Sequence, residues 1–160
     1  MKSIRGVYFL GLLFCIGLFV VAAYLQFEKG LAPCPLCDLQ RIAFAFITLC
    51  YLFALVHNPK NKGAIVYALL ILLFAVLGGF FAGRQIWLQH QPPGSITSCG
   101  FGLEHLLRSL PFLDAMRTAV QGSAQCATVF WRFFGLSIPE WSMIFFVVLA
   151  VVGLIQAKRA

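Results

Sequence analysis

The stretch "CPLCDLQRIAFAFITLCYLFALVHNPKNKG", Cys34 to Gly63, holds the argument of the whole chain in one segment. It opens on a C-x-x-C pair, runs through Ile42 to Val56 without a charged residue, and stops at "HNPKNKG", where Asn-Pro and Lys-Gly mark a turn. With Asp38 to Arg41 as its first turn at the interface, the segment reaches the ~20 residues needed to cross a bilayer. A dithiol therefore stands at one face of a membrane and a lysine-bearing turn at the other.

Three further runs repeat the pattern. "GVYFLGLLFCIGLFVVAAYL" spans Gly6 to Leu25, "AIVYALLILLFAVLGGFFAGRQIWL" spans Ala64 to Leu88, and "WSMIFFVVLAVVGLIQA" begins at Trp141. Hydrophobic residues make up 61% of the 160 and charged ones 11%, a balance that places the chain among integral membrane proteins. The expected fold is an all-α, four-transmembrane-helix bundle in a single membrane domain over residues 1–160. Its helices are expected near 6–25, 38–57, 64–88 and 141–157, with connecting loops near 26–37 and 89–140 on one side.

Orientation follows from the basic residues at the helix ends. Lys2, Arg5, Lys60, Lys62, Lys158 and Arg159 fall on one side with no acid among them, which predicts cytoplasmic N- and C-termini. All five acids, Glu28, Asp38, Glu104, Asp114 and Glu140, fall on the other, so both loops are expected in the periplasm. Val21 to Ala23 resembles a signal-peptide cleavage site, but the first apolar run exceeds the usual ~7–15 residues of such a signal, and an uncleaved helix is expected. The net charge of +7 comes from scattered single residues rather than a basic stripe, so no nucleic-acid partner is expected.

Four of the six cysteines lie in the exported loops: Cys34 and Cys37 in the first, Cys99 and Cys126 in the second. Cys15 and Cys50 sit inside apolar runs, where a free cysteine acts as a small hydrophobe. Zinc is a poor match, because tetrahedral sites usually combine two closely spaced pairs and only one such pair is present. A structural disulfide between Cys99 and Cys126 stays open as a reading. For Cys34 and Cys37 it is weaker, since a bridge over two residues removes little chain entropy; electron exchange suits that pair better.

Local context favours a thiolate at Cys37. It stands where a helix begins, and unpaired N–H groups and the positive end of the helix dipole favour an anion there. Arg41, four residues on, shares its face about 6 Å further along the helix. The simpler role for Arg41 is an interfacial anchor. Asp38 opposes a thiolate if it points the same way, and does not if it serves as a cap. In the second loop, Leu103, Leu106, Leu107, Leu110, Leu113, Met116 and Val120 recur at helical spacing around Pro111. That predicts short amphipathic helices lying on the membrane surface, in a tethered, mobile loop able to carry Cys99 and Cys126.

These residues together resemble the disulfide bond formation protein B (DsbB) family of membrane thiol oxidases. The resemblance rests on the four crossings, "CPLCDLQR" after the first, "GRQIWLQH" closing the third, "TSCGF" around Cys99, and "CATVFWRFFGLSIPEW" leading into the fourth. It implies a bacterial inner-membrane enzyme that reoxidises a periplasmic DsbA-like thiol oxidase and passes electrons to a membrane quinone, ubiquinone or menaquinone. It also implies redox disulfides Cys34 with Cys37 and Cys99 with Cys126, and a transient Cys34 with Cys126 bridge. Cys99 would meet the partner, and Arg41 and His90 would lie at the quinone. Gly100, Phe101 and Gly102 follow Cys99 where some members carry a basic residue. The alternatives are a transmembrane thiol relay supplying reductant outward, which needs cysteines reachable from the cytoplasm, and a non-enzymatic scaffold with stapled loops.

Overall fold

The structure, a computed structural model, describes residues 4–28, 30, 34–59, 62–92, 103–129 and 131–159. Cys99 and its flanking loop lie outside these. Four long helices cross the molecule: α1 (Ile4–Glu28), α2 (Pro35–His57), α3 (Lys62–Gln89) and α7 (Ile138–Arg159). Each is long and apolar enough to span a bilayer. Between α3 and α7 lie three short helices, α4 (Leu103–Ser109), α5 (Phe112–Gln121) and α6 (Ala124–Ala127). A two-stranded antiparallel hairpin, β1 (Arg132–Phe133) and β2 (Leu136–Ser137), follows and is an addition to the all-helical expectation.

The ends of α2 follow from local chemistry. Pro35 occupies the first helical position, where its missing N–H costs nothing, and Cys34 is the N-cap in extended conformation. The helix thus starts three residues before Asp38, and Cys37 belongs to its first turn. At the far end Asn58 adopts a left-handed conformation with its N–H on the Ala54 carbonyl at 3.0 Å, and Pro59 follows. The turn is tied by His57 Nδ1 and Tyr67 Oη, 2.7 Å apart. The start of α7 is fixed by Ser137 and Glu140: the Glu140 carboxylate accepts from the Ser137 N–H and lies 2.8 Å from its hydroxyl, one half of a capping box.

α3 packs along both α2 and α7, and α1 lies against α2. Glycine permits the closest approaches: a Cβ at Gly78 would overlap the Phe146 ring, and one at Gly11 would press on Tyr51. Phe146 in turn stacks on Phe44 with centroids 4.0 Å apart, joining α2, α3 and α7 in one seam. Much of the outer surface stays apolar and exposed, including Leu10, Val20, Val56, Val66 and Phe80. Such patches suit lipid rather than water.

A second core forms at the cysteine end. Leu36, Leu39 and Leu88 from α2 and α3 pack with Leu103, Leu106, Ala115 and Ala119 from the second loop. The expected break at Pro111 separates α4 from α5. The loop, expected as a mobile tether, is docked: Arg84 donates to the Val120 and Gln121 carbonyls at 3.4 and 3.2 Å, satisfying the last turn of α5, and its guanidinium stacks 4.4 Å over Trp87. Gly122 follows at φ +84, with Leu88 where a Cβ would stand. Phe112 and Leu113 remain exposed on α5, in keeping with an interfacial helix.

Candidate functional site: three cysteines beside an apolar cavity

Cys34, Cys37 and Cys126 meet at the head of α2. The Cys34 and Cys37 sulfurs lie 3.1 Å apart as free thiols, one turn of helix bringing them together. Cys126 is fully buried and is placed by α6, whose start at Ser123 supplies a backbone bond, Cys126 N–H to Ser123 O at 2.9 Å. Its sulfur lies in the same buried core as Cys34 and Leu36, within reach of the Cys34 proton and of the Leu36 N–H, one of the unpaired donors in the first turn of α2. The helix N-terminus that sequence reasoning assigned to Cys37 is therefore shared with Cys126.

The electrostatics set Cys126 apart from Cys34. Cys126 is lowered to about 6, first by the hydrogen bond from Cys34, then against the opposing effect of burial by N–H donation from Ser123 and Leu36. Cys34 is strongly raised, because its proton is engaged by Cys126 first and Cys37 second, with burial adding to both. One proton held on Cys34 between neighbouring sulfurs favours the thiolate form of Cys126 in the reduced cluster.

Cys37, together with Cys34, lines a cavity of about 510 Å³. Leu18, Phe19, Ala22 and Leu25 of α1 form one wall, and Trp141 and Phe145 of α7 form the other. The polar groups gather near the cysteines: Gln40, Arg41, Gln85 and Gln89, with Ser137 beside Gln89 at 3.0 Å. Trp131, Phe133 and Trp141 frame the hairpin side, and the Trp141 indole N–H donates to the Phe133 carbonyl at 3.0 Å. A largely apolar chamber with a few hydrogen-bonding groups in its lining has the character of a site for an amphipathic ring compound with an apolar tail.

The structure distributes the sequence-predicted residues unequally. Arg41 lines the cavity, but its guanidinium donates to Gln26 Oε1 of α1 at 2.6 Å. Asp38 accepts from the N–H of Leu103, so its carboxylate caps the start of α4 and links the first loop to the second. His90 lies exposed in the turn after α3, its Nδ1 2.8 Å from the Ile86 carbonyl oxygen, outside the set of residues that line the cavity. Sequence reasoning missed Gln85, whose amide reaches Cys34 and Cys37, and Gln40, which bonds to it. Polar side chains inside apolar helices were the available signal.

Fold and site define a multi-pass membrane protein with a cysteine cluster between the docked loop that joins α3 to α7 and a cavity among the long helices. The family model for disulfide bond formation protein DsbB matches residues 4–156, and the chain belongs to that family, whose members are membrane oxidoreductases of thiols. Among its relatives, a disulfide bond formation protein B from Marinobacter nauticus is 44% identical over 97% of this chain and 92% of its own. One from Hahella chejuensis is 46% identical over 89% and 87%, and one from Xylella fastidiosa 43% over 99% and 92%.

Proposed function

We propose that this protein is a quinone-dependent thiol oxidase that reoxidises a periplasmic DsbA-like dithiol protein, with its termini in the cytoplasm and both cysteine loops in the periplasm of a bacterial inner membrane. The supporting observation is the contact of Cys126 with Cys34 on one side and the opening of Cys37 onto the apolar cavity on the other. A relay needs both contacts at once. The cavity residues fit a quinone: apolar walls suit an isoprenoid tail, and Gln40, Arg41, Gln85 and Gln89 offer donors for ring oxygens. A bound ubiquinone or menaquinone supplies a two-electron, two-proton acceptor.

A thiolate of the reduced partner attacks Cys99 in the Cys99–Cys126 bridge; a partner–Cys99 bond forms, and the electron pair leaves on Cys126. Cys126 attacks Cys34 in the Cys34–Cys37 bridge; the Cys34–Cys126 bond forms, and the pair passes to Cys37 as a thiolate. The partner's second thiolate displaces Cys99 and closes the partner's disulfide. Cys99 then displaces Cys34 from Cys126, and Cys34 re-closes on Cys37 as two electrons leave through the cavity. Arg41 contributes a permanent positive charge to the cavity wall, available to a bound quinone. His90 takes the lesser part of holding the turn that follows Gln89.

A thiol relay across the membrane would require Cys15 and Cys50. Both are buried in the transmembrane core, away from the cluster. The assay that tests the proposal mixes purified protein, a reduced DsbA-like substrate and a soluble quinone analogue and follows quinone absorbance. Wild-type protein is expected to consume quinone, and Cys37→Ser and Cys99→Ser are expected to abolish consumption. Undiminished turnover in both variants would sink the mechanism.

A further inference from the structure

Gln40 of α2 and Gln85 of α3 form a buried amide pair against the cysteines; each is 4% exposed. Gln40 Nε2 donates to Gln85 Oε1 at 2.8 Å. With its oxygen accepting from Gln40, the Gln85 Nε2 stands 3.3 Å from Cys37 Sγ and 3.5 Å from Cys34 Sγ. The Gln85 oxygen is also 3.5 Å from Cys37 Sγ, so a protonated Cys37 finds an acceptor on the same group. One amide therefore serves both protonation states of Cys37 without rotating.

Arg41 does not fill this place. Its hydrogen bond goes to Gln26, and among the described residues the side-chain hydrogen bonds at the Cys37 sulfur come from Gln85 and Cys34. Burying two amides beside a lipid-filled environment is costly unless they are paired, and an apolar pair would pack there more cheaply. Their placement at the sulfurs points to chemistry.

We propose that Gln85, oriented by Gln40, is a catalytic hydrogen-bond donor that holds the thiolate left on Cys37 when Cys34 exchanges with Cys126. This deepens the thiol-oxidase reading above and rests on it. Gln40 acts through Gln85 and is a positioning residue.

The test needs neither quinone nor partner. Fully reduced protein in detergent is treated with iodoacetamide, and the rate at Cys37 is read from its peptide by mass spectrometry at pH 7 and pH 10. Gln85→Met, close in shape, is expected to slow Cys37 alkylation about tenfold at pH 7, the size of one lost hydrogen bond to a charged group, and to leave the rate at pH 10 unchanged. Gln40→Leu is expected to slow it about threefold at pH 7 only, because the amide is no longer held in one orientation. An unchanged rate at pH 7, or an equal loss at both pH values, overturns the proposal; the second result would mean altered access. If Gln85→Met fails to fold, Gln40→Leu carries the same test with the same overturning outcomes. The Cys37→Ser quinone assay is separate: turnover there would overturn the thiol-oxidase reading whatever the alkylation rates show.

Discussion

Cys34 and Cys126 pack in one buried core, joining the N-cap of a membrane helix to a loop that returns from the far end of α3. Electron transfer between the loops by thiol exchange requires such a contact. Here it is built from a helix N-cap, a four-residue helix and a packed second core rather than from a chance encounter.

The first prediction concerns pH. With Cys126 lowered to about 6 from an ordinary 9.0, the folded reduced protein releases that proton earlier than the unfolded chain does. Stability from this group is complete above about pH 9 and is lost as pH falls through about 6. The thermal midpoint of the reduced wild type minus that of Cys126→Ser should therefore rise between pH 6 and pH 9. Thiolate absorbance at 240 nm should show a component with a midpoint near 6, moved upward in Cys34→Ser. A flat difference between the two proteins would contradict this.

The loop's docking depends on Arg84. Arg84→Ala leaves two carbonyls at the end of α5 without their donor and is expected to cost about 1 kcal/mol of loop docking. Limited proteolysis should then cut between α4 and α6 several-fold faster. Gly122→Ala should be worse, at about 2 kcal/mol, because both the left-handed backbone and the Leu88 side chain oppose a Cβ.

Arg41→Ala should raise the apparent KM for a soluble quinone about tenfold while leaving that for the reduced partner unchanged. Arg41→Lys should recover part of the loss, since it keeps the charge but not the guanidinium's fixed fork toward Gln26. Equal quinone KM values in wild type and Arg41→Ala would remove Arg41 from the site.

Glu140→Ala breaks the bond to the Ser137 N–H that starts α7 and is expected to lower stability by about 1 kcal/mol. Its effect should appear in the thermal midpoint in detergent, with little change in alkylation of Cys34.

The four spans were legible because lipid demands long uninterrupted apolar runs, and Pro111 was legible as a break because proline removes a helix donor. The early start of α2 had a signal in Pro35, which favours the first helical position. The hairpin had little signal: its turn places Phe134 and Gly135 at positive φ, and Phe is an unusual choice there. Asp38 looked like a threat to the thiolate until α4 was seen to bring the Leu103 N–H to it. Gln40 and Gln85 lie on different helices and meet only through the packing of α2 on α3, so no spacing in the chain announces them.

The most direct measurement of the relay follows one turnover without an acceptor. Oxidised, quinone-free protein is mixed with reduced DsbA-like partner, quenched with acid, alkylated and mapped by mass spectrometry. The expected product is a Cys34–Cys126 bridge with Cys37 alkylated and Cys99 linked to the partner. A partner-linked Cys99 with Cys34 still bridged to Cys37 and Cys126 alkylated would contradict it.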